Sequence, residues 1–375
     1  MQCSLYIHLP FCRSKCRYCD FYSVAGADGL IDGYLRAVAR EWDLRTKERA
    51  VELTSLYIGG GTPSLLSVAQ WEYFGELLLG HLPLVSGAEW TVECNPDSFA
   101  DEKGRLFAAM GVNRLTIGIQ SLADRELTLA KRPHSSSLAL EVLGSEVLSR
   151  FRSVGVDVMF GLPGQTTASF TATLQTLLKK TAVKHLSAYE LTLAPDTPFG
   201  RHRSLLPLPS EDTVSSMVDT LVELTETHGF RQYEISNFSR SGHECRHNKG
   251  YWAHEPYLGL GCAAHSYVHP VRSWNVGDIA TYCSLIEKGV LPVEREELLS
   301  SDMVAKEMLF LGLRRVEGID EHLFEAKTGM PFTGRVSKSL LEKFCLEGLL
   351  VREPLCWKPT EKGLLFADYM ARELF

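Results

Sequence analysis

Residues 4–23 read SLYIHLPFCRSKCRYCDFYS, an apolar β-rich run that leads directly into a loop with three closely spaced cysteines. These are Cys12, Cys16 and Cys19, and Phe21 stands where a fourth could follow. Such spacing in a large chain favours metal binding over a disulfide framework. Thiolates are ligands for zinc and for iron–sulfur clusters, but a structural zinc site needs a fourth Cys or His. A four-iron cluster held by three cysteines instead leaves one iron open, so the spacing favours such a cluster without excluding zinc.

Similar β-rich runs recur along the first half of the chain, and a helix-length segment separates each run from the next. The runs span residues 4–10, 55–61, 89–96, 114–121, 154–164 and 185–192. Between them, residues 32–45 and 168–180 have the apolar periodicity of amphipathic helices. Strand–helix alternation predicts a parallel sheet that is covered by its crossover helices. Six units predict an α/β fold in the form of an incomplete (β/α)6 barrel, with functional residues at the carboxyl ends of its strands.

The sequence pattern changes after about residue 235, which predicts three segments. Residues 1–235 form the partial barrel, and residues 236–299, rich in His, Gly and aromatic residues, form a connecting layer. Residues 300–375 contain amphipathic helices followed by a short hairpin and a last helix at 363–374. Helices followed by a small hairpin predict a small C-terminal α+β domain of the winged-helix type.

The composition limits the classes of partner. The 375 residues carry 39 Lys and Arg against 46 Asp and Glu, and the resulting net charge of −7 disfavours nucleic acid as a partner. No apolar run approaches the roughly 20 residues of a transmembrane helix. The start, MQCSLYIHLP, shows no secretory signal, and most of the ten cysteines are scattered. We therefore expect a cytoplasmic location, with peripheral membrane contact left open.

The pattern C-x3-C-x2-C, formed by Cys12, Cys16 and Cys19, is the signature of radical S-adenosylmethionine (SAM) proteins, and this stretch resembles it in full. The resemblance implies that the three thiolates hold a [4Fe–4S] cluster whose open iron is chelated by the amino and carboxylate groups of SAM. It also implies that one electron from the cluster cleaves SAM to a 5′-deoxyadenosyl radical. Tyr18 matches the aromatic residue that contacts adenine in this superfamily.

A glycine tripeptide and a strand-end carboxylate match SAM-binding motifs of the same superfamily. No Gly-Lys-Ser/Thr follows GGGTP (59–63), so a phosphate-binding loop is disfavoured and a tight turn remains the alternative. The resemblance places Gly60, Gly61 and Thr62 in the loop that binds the methionyl ammonium. It also gives Glu93 a contact to SAM, where the alternative is a solvated acid at a strand end.

Four further residues match contacts of the superfamily. Gln120 and Asp157 lie in the fourth and fifth runs, and the resemblance gives both a contact to SAM. Arg132 aligns with an Arg that reaches the SAM carboxylate, a bidentate pairing that Arg suits. The family usually shows Leu-Gly-Arg at this point, whereas this chain has AKR (130–132). Tyr6 matches a Tyr near the cluster, with a core aromatic as the alternative.

Six motifs in the first 192 residues look like the subgroup of oxygen-independent coproporphyrinogen III dehydrogenases and their relatives. They are, in order, IHLPFC, YIGGGTPSLL, ECNPDS, IGIQSL, DVMFGLPGQT and HLSAYELT. The oxidising members carry a fourth cysteine two residues after the third, where this chain has Phe21. The CDF form and the HNxxYW motif at 247–252 are typical of the HemW group of haem chaperones, which the C-terminal region also resembles. Only eleven residues precede Cys12, which we expect for the chaperone and not for the enzyme.

The resemblance also implies that haem is bound, and haem iron takes His, Met, Cys or Tyr as an axial ligand. His247 lies in a segment with Tyr251, Trp252 and Tyr257, whose flat apolar faces could pack on a porphyrin. The alternative is that His247 hydrogen-bonds this segment to the barrel. Other candidate ligands are His254, His265, Cys245 and Met308.

The sequence therefore predicts a haem chaperone on a radical SAM scaffold. It would hold one [4Fe–4S] cluster and SAM, bind haem and transfer it to acceptor haem proteins, for which respiratory-chain components are candidates. The cluster would also need a reductant as a partner. The second hypothesis is an enzyme that oxidatively decarboxylates coproporphyrinogen III to protoporphyrinogen IX. A third, a winged-helix DNA binder with structural zinc, is disfavoured by the net charge and the missing fourth ligand.

Overall fold

A twelve-stranded mixed sheet organises most of the chain in the computed structural model, which describes residues 1–375. Its strands are, in chain order, β1 (Gln2–Leu9), β2 (Glu52–Gly60), β3 (Leu84–Cys94), β4 (Arg114–Gln120), β5 (Ser153–Phe160), β6 (His185–Glu190), β7 (Arg231–Glu234), β8 (Asn237–Ser239), β9 (Tyr257–Leu260), β10 (His265–Val268), β11 (Val271–Asn275) and β12 (Val293–Leu298). Their order across the sheet is β12-β11-β10-β9-β1-β2-β3-β4-β5-β6-β8-β7. Strands β1 to β6 are parallel, and each pairs with the next along the chain.

The six predicted β/α units are confirmed, and the sheet that they form is open. Strands β12 and β7 lie at its two edges, so the strands do not close into a complete barrel. Strands β1, β4 and β5 are buried over most of their length, as expected of parallel strands covered on both faces. Because parallel strands end at the same edge of a sheet, the loops after β1 to β6 meet there.

Ten α-helices lie between the strands of the sheet along the chain. They are α1 (Ile31–Thr46), α2 (Val68–Leu77), α3 (Asp101–Met110), α4 (Asp124–Leu129), α5 (Ser136–Leu143), α6 (Thr167–Lys180), α7 (Pro198–Arg201), α8 (Glu211–Thr227), α9 (Arg246–Trp252) and α10 (Ile279–Glu287). Capping boxes begin α2, with Ser67 and Gln70, and α6, with Thr166 and Ser169. The apolar face predicted for 168–180 is buried in α6 through Phe170, Leu174, Leu177 and Leu178.

The residues predicted as a connecting layer extend the main sheet. Strand β9 pairs parallel to β1, and β10, β11 and β12 continue from it in antiparallel order. Leu258, Leu260 and Cys262 belong to the same 57-residue hydrophobic core as the six units. The segment is therefore structurally continuous with the partial barrel, and the boundaries at 235 and 299 stay a prediction.

The C-terminal region has a hydrophobic core of its own. It contains α11 (Ser301–Gly312), α12 (Glu321–Thr328), α13 (Phe332–Arg335), α14 (Lys338–Leu346), α15 (Glu361–Leu365) and α16 (Ala367–Leu374), with strands β13 (Ile319–Asp320), β14 (Leu350–Glu353) and β15 (Cys356–Pro359). The three strands form a small antiparallel sheet with β15 in the middle, and a separate 20-residue core lies beneath them. The predicted small α+β domain and its hairpin are confirmed.

The prediction of a single last helix over 363–374 was wrong. The chain forms two helices, α15 and α16, which meet at Phe366. The Phe366 N–H donates to Gly363 O rather than to the carbonyl four residues back, so the regular α-helical ladder stops there. None of the helices in the chain combines the length and the apolar composition that crossing a bilayer requires.

Candidate metal and cofactor site

The loops at the carboxyl ends of the parallel strands enclose a cavity of about 460 Å³, which we call the first cavity. It is lined by eleven of the predicted site residues: Cys12, Cys16, Tyr18, Cys19, Gly60, Gly61, Thr62, Glu93, Gln120, Arg132 and Asp157. The two others, Tyr6 and His247, do not line it. The parallel fold thus gathers residues that are far apart in the sequence, as the strand–loop pattern predicts.

The cysteine loop presents three free thiols to the first cavity. The loop is anchored by a backbone hydrogen bond, in which Arg17 N–H donates to Ala130 O at 3.1 Å. Burial raises the pKa of Cys12 and raises that of Cys19 to about 11, so these thiols are protonated at neutral pH. The chain contains no group of three or more His, Cys, Asp or Glu side chains that lie close enough together to hold a metal ion. Binding of a metal group would therefore release protons and draw the thiols inward.

The glycine tripeptide at the end of β2 packs against groups that leave no room for side chains. A Cβ at Gly59 would lie 2.9 Å from the carboxyl carbon of Glu93, and one at Gly60 would lie 2.6 Å from the His8 ring. Gly60 also has a φ of +112°, which L residues rarely adopt. Its N–H donates to Glu93 Oε2 at 3.1 Å. The close approach of this loop therefore positions Glu93 at the wall of the cavity.

Two partly buried carboxyl groups, those of Glu93 and Asp157, line the first cavity. The Tyr57 hydroxyl donates to Glu93 Oε1 at 2.8 Å. Burial raises the pKa of Glu93 to about 7, with a further contribution from the charge of Asp157. Burial also raises the pKa of Asp157 to about 6. A bound cation would stabilise both ionised carboxylates and lower both pKa values, so the pair suits a cationic ligand.

Arg132 lies between the cysteine loop and β4. Its Nη1 lies 3.5 Å from Cys16 Sγ, and its Nη2 donates to Asn95 Oδ1 and to Gly118 O, both at 2.7 Å. Its Nε is buried without a hydrogen-bond partner. Lys131, at the position where the family usually has glycine, has a left-handed φ of +59°. A guanidinium that is held here with one free N–H suits an anionic group beside the cysteines.

Gln120, Tyr18 and Thr62 complete the predicted lining. Gln120 has a φ of +66° and lies at a register shift between β4 and β5, where the regular strand pairing is interrupted. Thr62 Oγ1 lies 3.6 Å from Cys12 Sγ. Tyr18 is partly buried, and this burial raises the pKa of its hydroxyl. The structure places all three at the cavity, and their contacts to a ligand stay a prediction.

Tyr57, Asn95 and Arg114 are among the polar residues of the first cavity that were not predicted as site residues from the sequence. Arg114 is only 2% exposed, and its Nε and Nη2 have no hydrogen-bond partner. An arginine at the start of an otherwise apolar buried strand was the signal that could have found it, since buried cations are rare without a partner. Asn95 and Tyr57 hold Arg132 and Glu93 respectively, contacts that only the folded chain reveals.

A second cavity, of about 770 Å³, adjoins the first. Its wall is rich in aromatic and histidine side chains: Tyr6, His8, Phe21, Tyr22, Tyr251, His254, Tyr257, His265, Tyr267 and Phe310. Tyr6 therefore lies here and not in the first cavity, with its hydroxyl 3.0 Å from His8 Nδ1. Asp20 and Phe21 line both cavities, and Phe21 is 67% exposed. The residue at the position of a fourth cysteine thus stands between the two cavities.

His247 lies in neither cavity, and both of its ring nitrogens have hydrogen-bond partners. Ser55 Oγ lies 2.8 Å from Nδ1, and the Tyr251 hydroxyl lies 2.9 Å from Nε2. The ring is buried, and this burial lowers the pKa of His247 to about 3. The structure does not bring this predicted ligand to a cavity, because its Nδ1 joins α9 to β2 through Ser55 and its Nε2 is bonded to Tyr251 of the same helix. This geometry favours the alternative in which His247 holds the segment to the barrel.

Two family models match the chain. Residues 6–177 match the radical SAM superfamily, and residues 299–366 match the HemN C-terminal domain. Among curated relatives, the haem chaperone HemW of Bacillus subtilis is 35% identical over 97% of this chain and 97% of its own. The haem chaperone HemW of Escherichia coli is 34% identical over 99% of this chain and 97% of its own. The haem chaperone HemW of Mycobacterium tuberculosis (strain H37Rv) is 31% identical over 99% of this chain and 94% of its own.

A solved structure with the same fold is that of coproporphyrinogen III oxidase (HemN) from Escherichia coli, a radical SAM enzyme. It matches this chain with a TM-score of 0.86 at 22% sequence identity. The match covers 99% of this chain and 89% of the other. At this identity the likeness establishes the α/β fold with its C-terminal domain, and it leaves the reaction to be argued from the site.

Proposed function

This chain belongs to the HemW family of radical SAM proteins, and from that premise we propose that it is a haem chaperone. It holds a [4Fe–4S] cluster and SAM in the first cavity, binds haem, and passes it to acceptor haem proteins. The observation that carries the proposal is that the free thiols of the cysteine loop line the same cavity as the carboxyls of Glu93 and Asp157 and the guanidinium of Arg132. We propose the cytoplasm as its location and a separate reductant for the cluster.

Cys12, Cys16 and Cys19 are the proposed cluster ligands. The donor set fits, since three thiols from one short loop line the cavity and the fourth position is Phe21, which cannot coordinate a metal. When bound, such a cluster supplies one electron to SAM. The protein's own contribution is to release the thiol protons, to enclose the site at the carboxyl ends of the parallel strands, and to leave one ligand position to SAM.

The remaining walls of the first cavity match the charges of SAM. Its ammonium and sulfonium groups are cationic, which suits the paired carboxylates of Glu93 and Asp157, and its carboxylate suits the free N–H of Arg132. Ionised Glu93 is already held by the Gly60 N–H and the Tyr57 hydroxyl, so it needs no rearrangement to receive a cation. We propose that Gly61, Thr62, Tyr18 and Gln120 complete these contacts.

The second candidate function is that of coproporphyrinogen III dehydrogenase, which the similarity of fold to HemN favours. That reaction would oxidatively decarboxylate two propionate side chains. Phe21 stands where the oxidising members carry a fourth cysteine. The chain's full-length similarity to proteins named as haem chaperones makes the chaperone the preferred proposal.

The proposal is tested with anaerobically reconstituted protein in two assays. In the first, haem-loaded protein is incubated with an apo haem protein, and transfer is followed by the acceptor's absorption spectrum; we expect transfer at a measurable rate. In the second, coproporphyrinogen III, SAM and a reductant are supplied, and we expect no protoporphyrinogen IX. Efficient formation of protoporphyrinogen IX without haem transfer would overturn the chaperone in favour of the enzyme.

A further inference from the structure

The second cavity is lined by aromatic and histidine side chains of the kind that bind porphyrins. The cluster motif predicts neither these lining residues nor the molecule that the cavity would bind. Its volume of about 770 Å³ lies within the range of cofactor pockets. Tyr22, Tyr257 and Phe310 line it, and flat aromatic faces such as these pack on planar apolar ligands. Phe21 lines it as well and is 67% exposed, so a bound planar ligand would cover an apolar ring that water now reaches.

Three histidines line the second cavity, and two of them have no free nitrogen. His8 Nδ1 lies 3.0 Å from the Tyr6 hydroxyl, and His8 Nε2 lies 2.9 Å from Tyr22 O. His254 Nε2 lies 3.0 Å from Glu307 Oε2, and its Nδ1 lies 3.1 Å from the Tyr267 hydroxyl. Each ring would have to break a partly or fully buried contact before it could bind a metal.

His265 differs from both, because neither of its ring nitrogens has a hydrogen-bond partner within the chain. The ring is exposed and stacks on Trp274, with ring centroids 5.5 Å apart and an interplanar angle of 23°. Stacking on a fixed indole orients the imidazole plane.

The other candidate ligands are less available. The Cys245 thiol is buried and donates to Glu89 Oε1 at 3.4 Å, and it lines the first cavity. Met308 is buried in the core of the C-terminal region and does not line the second cavity. His247 is buried with both nitrogens bonded.

We propose that the second cavity is the haem site and that His265 is the axial ligand of the haem iron, with Phe21 packing on the porphyrin. This assignment rests on the proposed function, since it names where the cargo binds. It also explains the position of Phe21, which would place bound haem directly against the loop that carries Cys19. Cluster and cargo would then share one loop while lying in separate cavities.

The test is a haem titration of the full chain, followed at the Soret band, with the His265→Ala, His247→Ala and His322→Ala variants. His322 is exposed and lies outside both cavities, so its substitution is the matched control. We expect His265→Ala to weaken haem binding at least about tenfold and to shift the Soret maximum. Added imidazole should restore the original spectrum of this variant, which a merely structural role would not explain. We expect His322→Ala to behave as the unsubstituted chain.

The outcomes of the titration distinguish a failure of the proposed haem ligand from a failure of the proposed chaperone function. If the unsubstituted chain binds haem and His265→Ala retains both affinity and spectrum, the ligand assignment is overturned while the chaperone proposal stands. A loss of the spectrum in His247→Ala alone, with its thermal unfolding unchanged, would move the ligand to α9. If the unsubstituted chain binds no haem, the proposed function fails and the assignment fails with it. Because His265 is exposed, we expect its substitution to leave the unfolding temperature unchanged.

Discussion

The two cavities adjoin, yet they are built in different ways. The first cavity lies at the carboxyl ends of the six parallel strands, and its wall carries thiols, carboxyls and arginines. The second is formed largely by the strands that extend the sheet and by α11, and its wall is mainly aromatic. Polar groups held at strand ends suit a charged cofactor, whereas aromatic faces suit a flat apolar cargo. Asp20 and Phe21 line both cavities, so under the proposed assignments this one loop would separate the cofactor from the cargo.

The largest effect should come from the cysteines of the first cavity. We expect Cys12→Ala, Cys16→Ala and Cys19→Ala each to abolish the uptake of about four irons per chain after anaerobic reconstitution, because the cysteine loop holds no further thiol that could replace the missing ligand. Cys283→Ser is the control, since this partly buried cysteine lies outside both cavities and should keep full iron content. Iron and zinc analysis of each sample checks the prediction, and zinc in place of iron would contradict it.

A smaller effect should come from the paired carboxyls. We expect Glu93→Gln to weaken SAM binding about tenfold or more, measured by calorimetry on reconstituted protein, because the variant loses a buried negative charge facing a cation. Glu72→Gln, at an exposed position outside the cavity, is the control and should bind as the unsubstituted chain.

The same two carboxyl groups predict that SAM affinity depends on pH and rises as the pH rises. The pKa values of Glu93 and Asp157 are about 7 and about 6 in the ligand-free site, so both groups protonate as the pH falls through this range. SAM affinity should therefore rise from pH 6 to pH 8. In Glu93→Gln the rise near pH 7 should flatten, and an unchanged pH profile would show that Glu93 does not face the cation.

A still smaller effect is expected at Phe21, one of the two residues that line both cavities. We expect Phe21→Ala to weaken haem binding several-fold and to leave the iron content unchanged, because its ring is proposed to pack on the porphyrin and does not coordinate a metal. Leu205→Ala removes another exposed apolar side chain, one that is 77% exposed and lies outside both cavities. Loss of iron in Phe21→Ala would instead place this residue in the structure of the cluster loop.

The smallest effect concerns the backbone of the first cavity. Lys131 is exposed and has a φ of +59°, a conformation that costs most residues about 1 kcal/mol and costs glycine little. We expect Lys131→Gly to raise the free energy of unfolding by about 0.5–1 kcal/mol, measured by denaturant titration. Lys131→Ala keeps the unfavourable conformation and should give no such gain. An equal gain in both variants would trace the effect to the lysine side chain instead.

Much of the fold could be predicted because its signals are local. Each parallel strand is an apolar run that ends in Gly, Asn-Pro or a polar residue, and the lengths between the runs suit crossover helices. The cysteine loop, the glycine tripeptide and Glu93 lie at such strand ends, so the strand pattern also placed them in one site. The break at Phe366 could not be predicted, because the segment around it has uniform helical periodicity.

The second cavity could not be predicted from the sequence, and the reason is physical. Its wall joins side chains from β1, the cysteine loop, β9 to β11 and α11, and no periodicity links these segments. The prediction for His247 followed a motif, whereas the availability of a ring nitrogen depends on partners such as Ser55 that only the folded chain provides. The same limit applied to Arg114 and Tyr57, whose roles depend on neighbours across the sheet.

Cluster and haem are proposed to occupy separate cavities, and haem binding by a variant without the cluster distinguishes this arrangement from a shared site. The variant with Cys12, Cys16 and Cys19 all replaced by alanine is titrated with haem and compared with the unsubstituted chain. We expect its iron to be lost while its haem affinity stays within about threefold, since none of the three thiols lines the second cavity. Loss of haem binding together with the cluster, in a variant whose thermal unfolding is unchanged, would contradict the account.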